Sequence, residues 1–283
     1  KGDFVPSGYE LKFGSGKIDR IDTCEDEDRI YVKVTDYKTG MKSFDITSFY
    51  HGLQMQLPVY MNAALGVERR KHPDKEVLPA GSFYYRIQDP IVEKAETDDA
   101  VEKSILKELK LDGLINAGDQ VVEHLEHDLS GASVLFPMGR NKDGTLSRTS
   151  RVLEPEAFET VLAYTEKKEQ ELKEAMYAGE VKAAPYELGG ASACDYCACR
   201  DICGFDQRIQ GDEYRRLEKY TLEEAVAKMK ERLDSGKDSG GDQKALSGTT
   251  AELNARSVKE RGGKESGAEN HRKGGAGDGR EMD

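Results

Sequence analysis

The sequence has no tryptophan, and aromatic residues make up only 7% of it. No apolar run approaches the ~18 residues that a membrane-spanning helix needs, which excludes a helical integral membrane protein. The chain lacks a charged opening followed by an apolar stretch, so no signal peptide is visible and a cytoplasmic location is expected. It starts at Lys1 rather than Met, as expected of a piece cut from a longer, N-terminally extended protein. Positive charge is in deficit: 42 Lys and Arg stand against 54 Asp and Glu, for a net charge of −12. That balance excludes a polycation that coats nucleic acid nonspecifically. It leaves open a nuclease, whose metal centre needs carboxylates and whose nucleic-acid path is basic only locally. At roughly 150 residues per domain, 283 residues allow one large domain or two small ones.

What is present is unevenly distributed. Residues 235–283 hold 11 of the 29 glycines and no Phe or Tyr, and their charges cancel. Such a stretch buries too little apolar surface to offset its ordering entropy, so 235–283 is predicted to be a disordered tail. Residues 1–234 then form the folded domain and carry the whole net charge. Within it, residues 9–13 and 17–22 read as short strands around Gly14-Ser15-Gly16. Residues 30–37 (IYVKVTDY) alternate apolar and polar side chains as a strand does, with CEDED (24–28) as the turn before them. Residues 48–65 space apolar groups at helical intervals, with Ser48 as N-cap and Pro58 as a kink. A strand over 81–88 and an amphipathic helix over 98–110 follow. Short strands at 133–137 and 145–148 flank the turn Asn141–Gly144, and a long helix over 156–179 stops at Gly179. One more helix is expected near 222–233. Strands, a helix, another strand and then helices indicate a mixed α/β fold.

The sharpest chemical signal is Gly16-Lys17-Ile18-Asp19 followed across one hairpin by Asp36-Tyr37-Lys38. If the two strands pair antiparallel, both carboxylates meet near one end of the sheet. Two carboxylates and a main-chain carbonyl make a hard oxygen site suited to Mg²⁺ or Mn²⁺. Strand residues i and i+2 share a face, so Lys38 projects beside Asp36. This set suits metal-assisted phosphodiester hydrolysis, in which the metal activates water and neutralises the phosphate. A solvated hairpin with ordinary salt bridges is the plainer alternative. Gln56 and Tyr60 lie four apart on one helix face, facing either the same site or the core.

A second signal is Cys194-x₂-Cys197 with Cys203 five residues beyond and Cys199 between them. Four cysteines within ten residues, in a chain without a secretory signal, read as metal or iron–sulfur ligands before disulfides. Thiolates at this spacing hold either zinc or a cluster. The fifth, Cys24, reads as a free thiol in the hairpin turn. Gly14-Ser15-Gly16-Lys17 lacks the further glycine and the Ser/Thr of a phosphate loop, so no ATP motor is encoded here. His124 and His127 read as part of a solvated helix face. Lys142, Arg148 and Arg151 suit either a DNA backbone or a charged loop.

Taken in order, GKIDRID, DYKTG and GLQMQLPVY resemble the RecB-type nuclease domain of the PD-(D/E)XK superfamily. Within it, AddB-like subunits of bacterial AddAB helicase–nucleases are the nearest match, which extends through ELKFG, NKDGTLSRTS and CDYCACRDICGFD over about residues 4–232. The resemblance implies a restriction-endonuclease-like core, a mixed central sheet flanked by helices, with a C-terminal iron–sulfur staple. It implies that Asp19, Asp36 and the Tyr37 carbonyl bind Mg²⁺, that Lys38 is the motif lysine, and that Gln56 and Tyr60 are the Gln-x-x-x-Tyr element. Cys194, Cys197 and Cys203 correspond to three ligands of a [4Fe–4S] cluster, whose fourth cysteine is expected upstream. The family's further His or Glu metal ligand has no counterpart here, and Glu10, on a predicted strand, is not substituted for it. The implied partners are DNA and an AddA-like helicase–nuclease subunit. The implied activity is degradation of broken duplex ends in recombinational repair, with the AddB-like subunit cutting the 5′-ended strand. A noncatalytic DNA- or partner-binding module with the same fold and a structural zinc or iron–sulfur site is the other reading.

Overall fold

The computed structural model describes residues 3–13, 16–40, 42–87, 89–92, 97–235 and 259–260. Six strands form the central sheet: β1 (Val5–Pro6), β2 (Arg20–Glu25), β3 (Arg29–Lys38), β4 (Glu76–Arg86), β5 (Asp112–Asn116) and β6 (Val152–Leu153). They lie side by side in chain order. β1/β2, β2/β3 and β4/β5 pair antiparallel, whereas β3/β4 and β5/β6 pair parallel. The tight β2–β3 turn is closed by Asp26, whose carboxylate accepts from the backbone N–H of Arg29 at 2.8 Å. An Asp side chain substitutes here for a missing ladder partner.

A parallel step needs a crossover, and helices supply it between β3 and β4. They are α1 (Ile46–Tyr50) and α2 (Gln56–Lys71). Three further helices are α3 (Asp98–Glu108), α4 (Asp119–Leu125) and α5 (Pro155–Tyr177). A four-residue turn, α6 (Arg200–Cys203), and α7 (Leu222–Ser235) complete the set. Ile30, Val32 and Val34 of β3 alternate onto one face and form one core with Leu57, Met61, Phe158, Val161 and Met229 of α2, α5 and α7. Phe83 and Ile115 point to the other face, against Val122 of α4 and Phe136. Both faces are therefore covered, as the near-continuous apolar run of β3 requires. The β3/β4 register shifts beyond Val32, where Ala80 is the extra residue, and Pro79 sits next to this bulge. Proline is tolerated at such a site because the ladder is already interrupted.

Several boundaries differ from the sequence-based expectation, each for a local reason. The helix expected over 48–65 is two helices. Asp45, not Ser48, caps α1, accepting from the N–H groups of Thr47 and Ser48 at 3.3 and 2.9 Å. Gly52 then takes φ +82°, and α2 starts at Gln56. Pro58 falls in the first turn of α2, where its missing N–H costs nothing, so it introduces no kink. Cys24 and Glu25 belong to β2 rather than to the turn. The segments expected as strands at 133–137 and 145–148 are mostly irregular. Gly131–Ala132 pairs instead with Gly139–Arg140, and Arg140 bridges to Leu146. The Asn141–Gly144 turn is present, with Gly144 at φ +87°. β5 and β6 are short and went unpredicted. Apart from 259–260, the tail 236–283 lies outside the described residues.

Candidate active site

The end of β3 builds the site. Asp36 and Lys38, two apart on one strand, emerge on the face covered by α2, just past Val34. Asp36 is 2% exposed. Its Oδ1 accepts from Gln56 Nε2 at 3.0 Å. Its Oδ2 is buried and paired with the Lys38 ammonium, its one polar partner among the described residues. Lys38 Nζ also donates to Gln56 Oε1 at 2.8 Å. Gln56 Nε2 lies 3.1 Å from the Tyr60 hydroxyl, one helical turn on. One amide at the start of α2 thus ties acid, lysine and phenol together.

Asp19 arrives from the bend between the Gly16–Lys17 segment and β2. Its Oδ2 accepts from the backbone N–H of Tyr37 at 2.8 Å, beside Asp36. The two acids therefore converge at one end of the sheet. Burial holds the Asp36 carboxyl above the usual carboxylate range; Lys38 opposes the shift and the negative charge of Asp19 adds to it. The other acid of the same motif has a different job. Asp22, fully buried, lies between Arg20 Nε at 2.8 Å and Lys33 Nζ at 3.2 Å. Lys33 is on the β3 face opposite Asp36, so Asp22 is a structural ion pair.

The structure adds two residues that sequence reasoning missed. Lys42 places its ammonium 5.2 Å from the centre of the Tyr84 ring, and Lys38 reaches the same ring at 5.4 Å. Burial and then the charge of Lys38 push the Lys42 pKa down, while Asp36 pulls it up. Tyr84 is opposite Asp36 in the β3/β4 register, and its buried hydroxyl has no hydrogen-bond partner among the described residues. Burial, Asp36 and Asp112 raise its pKa. The signal for Lys42 was a lysine just after the Asp-x-Lys strand, and Tyr84 was the aromatic paired across from Asp36. Glu10 is engaged by Lys17 Nζ at 2.8 Å.

The donor set suits a divalent cation: two adjacent carboxylates, one of them buried at the end of β3. A cation there compensates the charge that burial penalises and relieves the repulsion that Asp19 adds. Among the described residues, no three His, Cys, Asp or Glu side chains form a metal-binding group. Oxygen donors beyond Asp19 and Asp36 must then come from main-chain carbonyls such as that of Tyr37, from water or from substrate.

The cysteine region folds separately from this site. Three short strands, Tyr186–Leu188, Ala191–Ser192 and Arg215–Leu217, pair as a small sheet around it. Cys194 is half-buried; Cys197, Cys199 and Cys203 are exposed. Cys197 N–H donates to Cys194 C=O at 3.4 Å, and Gly204 at φ +72° turns the chain just after Cys203. Among the described residues these thiols do not gather into a metal-holding group, so the structure does not bring the predicted ligands Cys194, Cys197 and Cys203 together. Cys24 is buried, its sulfur 3.4 Å from His124 Nδ1. His124 is 7% exposed and its ring centre lies 4.6 Å from that of Tyr31, so it is not on a solvated face. Of the loop cations, Arg151 is bound by ion pair to Asp112 and donates to the Phe44 carbonyl at 3.3 Å.

The family model of the PD-(D/E)XK nuclease superfamily matches residues 1–204. An ATP-dependent helicase/deoxyribonuclease subunit of the B type, from Alkaliphilus oremlandii (strain OhILAs), is 36% identical over 251 residues, 81% of this chain and 22% of the relative. The protein of the same name from Lachnoclostridium phytofermentans is 37% identical over 241 residues, 79% of this chain and 21% of the relative. That from Clostridioides difficile (strain 630) is 33% identical over 256 residues, 81% and 22%. The chain spans about a fifth of the length of these curated relatives. Two converging acids with a lysine two residues on, a mixed sheet flanked by helices, and a family match that runs through all of them lead to one assignment: the chain belongs to the PD-(D/E)XK nuclease superfamily.

Proposed function

We propose that this chain is the nuclease domain of an AddB-like subunit, a Mg²⁺-dependent deoxyribonuclease acting on DNA double-strand-break ends. The observation that carries this reading is the Asp19–Asp36–Lys38–Gln56 constellation at one sheet end. Asp19 and Asp36, with the Tyr37 carbonyl, hold Mg²⁺. When bound, that ion lowers the pKa of a water and offsets charge on the phosphate. Lys38 places an ammonium beside Asp36, where it neutralises a phosphate oxygen or orients a water. Gln56 fixes the Asp36 carboxylate and the Lys38 amine in one plane of hydrogen bonds, and Tyr60 buttresses the amide. Lys42 adds a second cation against the substrate's charge. The partner is an AddA-like subunit, and the strand cut is the 5′-ended one. The exposed apolar side chains Met176, Tyr177 and Val181, at and beyond the free end of α5, support a partner surface. Among the described residues no helix is long and apolar enough to cross a membrane. Cys194, Cys197 and Cys203 hold a [4Fe–4S] cluster that staples the cysteine loop to the domain; a brown protein is expected, and a colourless, zinc-containing one would replace this part of the reading.

The test is Mg²⁺-dependent degradation of the 5′-ended strand at a duplex end by the full-length protein that carries this domain, with a partner whose own nuclease is inactivated, against the Asp36→Asn variant. A loss of at least 10²-fold is expected, the scale at which electrostatic groups of a catalytic centre act. Equal activity in both defeats the catalytic assignment and leaves a DNA-binding module.

A further inference from the structure

Among the described residues of this acidic chain, cations dominate the lining of one cavity. About 580 Å³ in volume, it lies beyond the amino end of β5, and Arg86, Lys107, Lys110, Arg140 and Arg151 line it. The acids among its lining residues are Glu108 and Asp112, and Asp112 is already paired with Arg151. Arg86 and Lys107 form no ion pair among the described residues. Lys110 keeps its ammonium half-buried, donating to the Ser133 carbonyl at 2.8 Å. Arg140 has a buried Nε with no acceptor among the described residues. A buried donor left unsatisfied is costly, and a cavity of surplus cations in a chain of net charge −12 is a local exception that points to an anion.

The sheet connects this cavity to the candidate active site. Asp36, Tyr84 and Asp112 are mutually opposite across β3, β4 and β5, and Lys38 is opposite Arg86. Directly paired residues share a sheet face, so Asp36, Lys38, Arg86 and Asp112 emerge on one side. Two strand spacings of ~4.8 Å separate the Asp36 and Asp112 backbones by about 10 Å. At about 3.4 Å or more per phosphate along a strand, that distance is at most about three nucleotides. The lining also includes Ser147 and Thr149, hydroxyls of the kind that accompany Arg and Lys on phosphate oxygens.

We infer that this cavity is a phosphate-binding subsite for single-stranded DNA, holding the backbone within about three nucleotides of the scissile bond while Asp19 and Asp36 address that bond. The inference rests on the nuclease reading and extends it from the reacting atoms to the path of the strand. Arg86 and Lys107 supply charge free to meet phosphates. Glu108 sits among them as an opposing charge.

The experiment measures equilibrium binding of a fluorescein-labelled oligothymidylate by anisotropy, in metal-free buffer so that nothing is cut, over a range of salt concentrations. The full-length protein is compared with the double variant Arg86→Ala/Lys107→Ala and with Glu108→Gln. The double variant is expected to bind about tenfold or more weakly, with the slope of log affinity against log salt smaller by about 1.4, near 0.7 for each single-strand phosphate no longer neutralised. Glu108→Gln is expected to tighten binding, a change of sign that damage to the fold does not produce. Unchanged affinity and slope in the double variant, or weaker binding in Glu108→Gln, overturns the subsite. Failure of the nuclease reading is seen separately: an Asp36→Asn protein that still cuts defeats that reading whatever the anisotropy shows.

Discussion

Replacing Gln56 with leucine tests whether one amide holds the site together. In the structure its side chain donates to Asp36 Oδ1 at 3.0 Å and accepts from Lys38 Nζ at 2.8 Å. The Lys38 side chain is 22% exposed and regains water when the amide is removed; that of Asp36, 3% exposed, does not. The cost is therefore dominated by the carboxylate, and a hydrogen bond to a charged group contributes about 1.5–3 kcal/mol. With a urea slope of about 2 kcal/mol/M, a loss near 2 kcal/mol moves the denaturation midpoint by about 1 M. The same change in an Asp36→Asn background removes only a bond between neutral groups, worth about 1 kcal/mol, so the two substitutions couple by about 1–2 kcal/mol. Urea titration of the four proteins at pH 7, beside single-strand degradation rates, measures this. A Gln56→Leu midpoint within 0.2 M of the parent (about 0.4 kcal/mol at that slope), or no coupling to Asp36→Asn, refutes the idea that the amide supports a buried, ionised carboxylate.

Asp36→Asn also has a signed pH dependence. The folded state holds the Asp36 pKa above its unfolded value, so the native protein binds the extra proton and the ionised carboxylate weakens the fold once pH exceeds the folded pKa. Metal-free Asp36→Asn should match or exceed the parent in stability at pH 7, with the difference vanishing as pH falls below the unfolded value; a variant less stable at pH 7 contradicts this. Gly113→Ala places a Cβ 1.9 Å from the Ser82 carbonyl oxygen, backbone against backbone where β4 meets β5. It should cost about 3 kcal/mol by thermal or urea unfolding, and a loss below 1 kcal/mol would show that the strands separate easily. Cys24 is fully buried, and burial, followed by the charge of Asp26, pushes its thiol up to about 11. In metal-free native protein at pH 8, iodoacetamide should label the Cys194–Cys203 thiols and spare Cys24 until urea is added, as peptide mass mapping will show; rapid labelling of Cys24 would contradict its burial.

The parts of the fold that were legible in the sequence are those with a strong local pattern. β3 announces itself through Ile30, Val32 and Val34, and α5 through its helical spacing between Pro155 and Gly179. The convergence of Asp19 and Asp36 followed from the hairpin, although Asp19 lies in the bend before β2 rather than on the strand expected over 17–22. Illegible were the features decided by tertiary contact. β6 has two residues and exists because Val152 and Leu153 pair with Ile115 and Asn116, far away in sequence. The break between α1 and α2 depends on Asp45 outcompeting Ser48 as a cap, a choice between neighbouring hydrogen-bonding residues that composition does not decide. Asp19 of KIDRID was legible as the motif acid, but the role of Asp22 was not: its ion pair with Lys33 depends on a partner across the ladder. Lys42 and Tyr84 belong to no motif; they reach Asp36 through chain reversal and strand pairing.

The charge distribution makes these pieces one argument about substrate. A chain of net charge −12 repels a polyanion at long range, yet at physiological salt that repulsion decays over ~8 Å. Within that distance of the end of β3 stand Lys38 and Lys42, the latter destabilised as a cation by burial and by its neighbour. Two amines crowded on one tyrosine ring, with Asp36 alone to balance them and Asp19 beside it, form an arrangement that a phosphodiester and a divalent cation stabilise together and neither stabilises as well alone. The phosphate relieves the Lys38–Lys42 repulsion, and the cation relieves that between Asp19 and Asp36. Binding of metal and of strand at this site should therefore be mutually reinforcing, so that single-stranded DNA tightens Mg²⁺ binding by the same factor that Mg²⁺ tightens DNA binding. The positive charge that matters to this protein is local, carried by a few side chains at one sheet end rather than by its composition.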